Sequence, residues 1–166
     1  MKVLIHDLEK EEYERINFGN KEQYLIISDN ETIKSCIGCL SCWTKTSGIC
    51  VLDDSYNNMG SILGQAEEVI IISKCTYGCY SPFIKNVIDR CIPYLHPYFI
   101  IKNGQMRHKA RYSSVFNCRI FFYGDAITDK EREIVKKLAE ANSLNYNCNL
   151  KDVKFINNFL EIGDIL

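Results

Sequence analysis

Val-Ile-Ile-Ile-Ser at positions 69–73 is the most strand-like stretch of the 166-residue chain, apolar and β-branched until its final serine. β-Branched side chains are stiff at χ1 and pack well on a pleated surface. A run with no polar alternation needs cover on both faces, the environment of a central strand in a parallel sheet. That reading asks for more strands on either side, with helices between them.

Toward the N-terminus, Tyr24–Ser28 (YLIIS) and Lys2–Asp7 (KVLIHD) are further apolar runs that end in polar residues, as buried strands do. Glu9–Glu22 between them is long enough for a parallel crossover with a short helix, and Gly19 and Asn20 offer its stop. Asp53 or Asp54 can cap a helix running to about Gln65, with Met59, Ile62, Leu63 and Ala66 at helical spacing. Toward the C-terminus, Pro82 suits the first position of a helix reaching about Leu95, whose stripe is Phe83, Val87, Cys91 and Leu95. Asn103-Gly104, between YFIIK and QMRHK, predicts a β-hairpin near residues 98–108. Val115–Tyr123 (VFNCRIFFY) is another strand, ended by Gly124. Thr128-x-x-Glu131 is a capping box for a helix to about Asn142, expected to turn Ile134, Leu138 and Ala141 to the core. Val153–Ile156 reads as a last edge strand.

Five strands alternating with four helices predict an α/β fold, a doubly wound five-stranded parallel sheet with the hairpin added. Right-handed crossovers leave few topologies, and strand order 2-1-3-4-5 fits a single domain spanning residues 1–166. Ligands of such sheets sit beyond the carboxyl ends of the strands, which directs attention to residues 7–12, 29–53, 74–81 and 124–128.

Composition narrows the function. Charged residues make up 25% and hydrophobic ones 46%, as in an ordinary globular protein. A net charge of −1 argues against nucleic acid as a partner, since neutralising phosphates takes a clustered positive surplus. No apolar run has the length of a membrane span or the form of a signal peptide, so a cytoplasmic chain with reduced thiols is expected.

Four of the nine cysteines fall in CIGCLSCWTKTSGICVLDD, residues 36–54, spaced as Cys36-x2-Cys39-x2-Cys42-x7-Cys50. Thiolates so close in sequence can converge on zinc or an iron-sulfur cluster. Equally, small buried cysteines can pack as modest hydrophobes in an inert loop. Spacing alone leaves both open.

Three stretches carry a likeness to a known family: CIGCLSCWTKTSGICVLDD at 36–54, TYGCYSPFIKNVIDR at 76–90 and IKNGQMRHKARY at 101–112. With the strand order, the chain resembles the flavodoxin-like NAD(P)H-dependent FMN reductases and, among them, the iron-sulfur flavoproteins. The resemblance implies an FMN-dependent oxidoreductase acting on a nicotinamide nucleotide and a small electron acceptor. It implies that Thr76, Tyr77, Gly78, Cys79 and Tyr80 border the isoalloxazine, with backbone amides at its polar edge, and that Gly124 and Asp125 flank the pocket. For Cys36, Cys39, Cys42 and Cys50 it implies a [4Fe-4S] cluster. The family's proline in the flavin loop is replaced by Cys75, while Lys85, Asp89 and Arg90 match its Asp-Arg helix end. Asp89 and Arg90 are expected to pair, supporting the helix or a subunit contact.

One loop departs from the family. Where relatives carry a hydroxyl- and glycine-rich turn for the FMN phosphate, this chain reads DLEKEEYERI at 7–16, with Asp7, Glu9, Glu11 and Glu12. A helix N-terminus attracts anions, and these carboxylates already occupy that field. Two other readings therefore stand beside the oxidoreductase: an electron carrier or metal protein using the four cysteines, and a cofactor-free interaction subunit. No catalytic side chain is required, because a flavin carries the chemistry; His6, His96 and His108 then need no such role. His108 lies among Arg107, Lys109 and Arg111, a basic group able to face a phosphate or simply to charge a hairpin edge. The projecting hairpin points to a homodimer or higher oligomer.

Overall fold

The computed structural model describes residues 1–16, 21–102, 104–157 and 162. The helix stop expected at Gly19 and Asn20, and the hairpin residue Asn103, lie outside them.

The 69–73 run forms the heart of β3 (Glu68–Lys74), flanked in parallel by β1 (Lys2–His6) and β6 (Asn117–Tyr123). β2 (Tyr24–Ser28) extends the sheet beyond β1, and β7 (Asn149–Ile156) beyond β6, giving the all-parallel order β2-β1-β3-β6-β7. This is the expected 2-1-3-4-5 winding once β4 (Leu95–Lys102) and β5 (Gln105–Ala110) are set aside as a separate antiparallel pair. Period-two alternation divides β3 between two cores. Val69 and Ile71 face one cluster with Val3, Ile5, Ile120 and Phe122, while Ile70 and Ile72 face the other with Leu4, Leu8, Ile16 and Phe121. The helices α3 (Met59–Gln65), α4 (Pro82–Arg90) and α5 (Asp129–Asn145) cover the first face. The short α1 (Lys10–Arg15) lies toward the second, through Tyr13. Each fully buried isoleucine contributes on the order of 1.5–3 kcal/mol, so the β3 run alone specifies register strongly.

Helix ends depart from expectation for identifiable reasons. α3 starts at Met59 after Asn58 and is not capped by Asp53 or Asp54, because the Asp54 carboxylate receives Arg90 and the amides of Lys34 and Tyr56. α4 is capped by Ser81, whose Oγ accepts the Ile84 amide, and has Pro82 at its start as expected. It stops at Arg90, and Ile92–Tyr94 forms a 3-10 turn, since Pro93 cannot donate a helical bond. Leu95 therefore belongs to β4 rather than to the stripe of α4. The Thr128–Glu131 capping box is present, but the buried face of α5 is Val135 and Ala139. Ile134 and Ala141 are exposed, and Leu138 packs only at the core's edge. The shift follows from Gly78: a Cβ there would lie 3.1 Å from that of Ile134, so Ile134 covers the 76–79 turn.

The hairpin turns at Gly104, whose φ of +72° is in the region that favours glycine. Its base is held by Trp43, from the single-turn helix α2 (Ser41–Thr44), whose Nε1 donates to the Leu95 carbonyl at 2.9 Å. Arg111 Nε donates to the Pro93 carbonyl at 2.8 Å. No helix among the described residues is long and apolar enough to cross a membrane.

Gly60, on α3, lies against the 92–94 turn, where a Cβ would stand 2.8 Å from the Tyr94 nitrogen and 2.9 Å from the Pro93 carbonyl carbon. Gly60→Ala is expected to lower stability by about 1–3 kcal/mol through overpacking, despite alanine's better helix propensity. Urea denaturation checks it; a stabilised variant would show that α3 can move away from that turn.

Candidate functional site

Because β1, β3 and β6 are parallel, their carboxyl ends open on one side, and the loops that follow diverge around a crevice of about 380 Å3. It is lined by Asp7, Glu9, Glu12, Asp29, Lys74, Thr76, Ser81, Pro82, Phe83 and Tyr123. Asp7 ties two of the loops together. Its carboxylate accepts the Lys74 amide at 3.0 and 3.2 Å and hydrogen bonds to the Ser81 and Tyr123 side chains. Burial pushes this carboxyl up, and the hydrogen bonds only partly oppose the shift. The Tyr123 phenol is raised by burial and by the adjacent Asp7 charge.

The amides around the crevice are largely committed inside the protein. Leu8 N–H donates to His6 Nδ1 at 3.3 Å, and Glu9 N–H to Glu12 Oε2 at 2.9 Å. Ser81 N–H donates to Ser73 Oγ at 2.9 Å. His6 itself is buried and stacked on Tyr13 at 4.6 Å, and burial lowers its imidazole from 6.5 to about 4.

Of the expected cofactor residues, Thr76 lines the crevice. The others are spread by the tight turn they form, in which Thr76 N–H donates to the Cys79 carbonyl at 2.9 Å and Cys79 N–H to the Thr76 carbonyl at 3.0 Å. Those two amides are consequently taken, and the Gly78 amide meets the Cys75 thiol. Tyr77, at φ +52°, is 92% exposed at the tip. The chain then reverses, and Tyr80 enters the core, 4% exposed and 5.2 Å from the Phe122 ring. Tyr80 thus borders an interior cavity with Cys118 and Tyr146, not the crevice, as its place on the apolar side of the turn dictates. Asp125 is exposed and Gly124 half-buried, and neither lines the crevice. The alternation of β3 and β6 could have identified Lys74 and Tyr123 as strand-end residues. Pro82 and Phe83 also line it, although their sequence signals are those of a helix start and a core residue.

A second, smaller cavity of about 50 Å3 gathers Cys36, Cys39, Cys42 and Cys50 with Arg90 and Pro93. Cys36 and Cys39 are exposed, Cys50 is half-buried, and α2 turns Cys42 inward after Leu40, whose φ is +56°. Burial, together with the other three thiols, pushes the Cys42 thiol up, whereas the Ser41 hydroxyl lowers that of Cys39. Among the described residues no group of three or more His, Cys, Asp or Glu side chains is placed to hold a metal ion. The expected Asp89–Arg90 pairing is also replaced. Asp89 pairs with Lys85 one helical turn away, and Arg90 forms a two-pronged pair with Asp54.

No protein-family model and no curated protein matches the chain. Among solved structures it is similar to an NADPH-quinone reductase from P. pentosaceus, at 10% identity and a TM-score of 0.56, covering 99% of this chain and 90% of that one. It is also similar to general stress protein 14 of Treponema denticola in complex with FMN, at 9% identity and a TM-score of 0.54, covering 93% and 84%. A third is an FMN-dependent NADH-azoreductase from Bacillus anthracis str. Ames Ancestor in complex with FMN, at 12% identity and a TM-score of 0.51, covering 94% and 85%. At identities this low the likeness shows the fold alone: the chain has a flavodoxin-like fold.

Proposed function

We propose that the protein is a flavin-dependent oxidoreductase that passes electrons from a reduced nicotinamide nucleotide to a small acceptor. The observation that carries this reading is the open crevice of about 380 Å3 beyond β1 and β3, at the point where the strand order reverses. Its volume is within the ordinary range for ligand sites, and strand reversals are where such sheets bind ligands. Similar structures that hold FMN support the choice of cofactor.

The residues fit the ring end of a flavin. Pro82 and Phe83 offer apolar and aromatic contact, and the Thr76 and Tyr123 hydroxyls and the Lys74 ammonium offer donors for its polar edge. Tyr77, Gly78 and Cys79 form the lip over which a nicotinamide would approach, and the Thr76–Cys79 turn holds that lip rigid. Gly124 and Asp125, after β6, stand beside it in the same reading. A bound flavin supplies the two-electron chemistry, and the chain supplies position and access. The β4–β5 hairpin, with Phe99, Ile101 and Met106 exposed, supports a homodimer.

The test is anaerobic oxidation of NADH and NADPH by the purified chain with added FMN or riboflavin and a quinone acceptor. Protein-dependent loss of nicotinamide absorbance, above the rate of free flavin, is expected with at least one nucleotide. A rate equal to that of free flavin with both would refute the reading.

A further inference from the structure

The crevice is rich in carboxylates, and several of the amides beside it are already spent. A phosphate is an acceptor-only anion and needs N–H or O–H donors, which helix N-termini and loop amides usually provide. Here the amides of Lys74, Leu8, Glu9 and Ser81 already donate to Asp7, His6, Glu12 and Ser73 respectively. What the rim presents instead is acceptors: Asp7, Glu9, Glu12 and Asp29, against a single ammonium on Lys74. A carboxylate and a phosphate have nothing to exchange but repulsion. A sugar alcohol, in contrast, brings hydroxyl donors that carboxylates accept well through charge-assisted hydrogen bonds.

We propose that the crevice selects a flavin lacking its phosphate, so that riboflavin, its ribityl hydroxyls donating to the rim carboxylates, binds more tightly than FMN. The inference rests on the flavin reading above and adds the form of the flavin. The two differ only in the terminal phosphate, so the comparison isolates it. The ring contacts at Pro82, Phe83 and Thr76 are common to both ligands.

Flavin-fluorescence titration of the full chain with riboflavin and with FMN tests it, at low and at raised salt. Riboflavin is expected to bind at least tenfold more tightly at low salt, and the gap to narrow as salt screens the rim. Glu9→Gln with Glu12→Gln, and separately Asp29→Asn, retain acceptor oxygens while removing charge. Both variants are expected to move the FMN-to-riboflavin affinity ratio toward unity, and thermal melting confirms that each is folded. FMN binding as tightly as riboflavin or more so, or a ratio indifferent to both salt and charge removal, would overturn the phosphate selection alone. Failure of both flavins to bind would overturn the oxidoreductase reading together with it.

Discussion

Arg90→Ala lowers the free energy of unfolding by about 3–5 kcal/mol, the cost of leaving a buried carboxylate without its counter-charge. Arg90 is 1% exposed, and its two terminal nitrogens reach the two Asp54 oxygens at 2.7 and 2.9 Å. The same guanidinium donates to the Lys34 carbonyl at 2.7 Å, so one side chain fastens both ends of the cysteine-bearing loop to α4. Burial pushes the Asp54 carboxyl up, but the bonds from Arg90 and from the Lys34 and Tyr56 amides prevail and hold it at about 2, below its ordinary 3.8. A depressed carboxyl stabilises the fold above its unfolded value, and that contribution is lost as pH falls from 3.8 through 2. Arg90→Lys should recover only a minor part of the loss, since an ammonium cannot match the planar fork. Urea denaturation of the three proteins decides the matter; a loss under about 1 kcal/mol for Arg90→Ala would mean the pair is solvated.

Between pH 6.5 and 4 the protein should lose roughly 3 kcal/mol of stability through His6 alone, the free-energy equivalent of its lowered imidazole. Its Nδ1 accepts the Leu8 amide, and Nε2 has no hydrogen-bond partner among the described residues, so a second proton would bring charge into an apolar enclosure. Above 6.5 neither the folded nor the unfolded state binds that proton, and the stability is full. As pH falls below 6.5 the unfolded state takes it up first, and the fold weakens until pH reaches about 4. Asp7 works in the opposite sense, because its raised carboxyl favours the folded state as it protonates. The comparison is therefore between the parent and His6→Phe, which keeps an aromatic ring beside Tyr13. The variant should be about 1 kcal/mol less stable at neutral pH for want of the Leu8 acceptor, yet flatter in acid. Parallel pH profiles of the two would contradict the assignment.

The sheet was legible because its signals are local. The unbroken β3 run declares two-sided burial, and Thr128-x-x-Glu131 and Pro82 declare helix starts within a single turn of chain. Features that depend on distant partners were not legible. Asp54 looked like a helix cap because its true partner, Arg90, is 36 residues away, and Asp7 meets Lys74 across 67 residues. The face of α5 was misjudged by one position because the 76–79 turn, not the sheet, claims Ile134. Tyr80 shows the same limit within a site. The family resemblance implied a shared role for Tyr77 and Tyr80, whereas the turn between them sends one ring to solvent and the other into the core. The acidic first loop, by contrast, announced its chemistry directly, and the structure adds that its Leu8 and Glu9 amides are already bonded.

The most direct test of the central claim is a crystal structure of the protein grown with saturating riboflavin or FMN. The account predicts an isoalloxazine ring in the crevice, against Pro82 and Phe83 and within hydrogen-bond reach of Thr76 or Tyr123. A ring lodged elsewhere, in the cysteine cleft or on the hairpin, or a crevice still filled only by solvent, would contradict it.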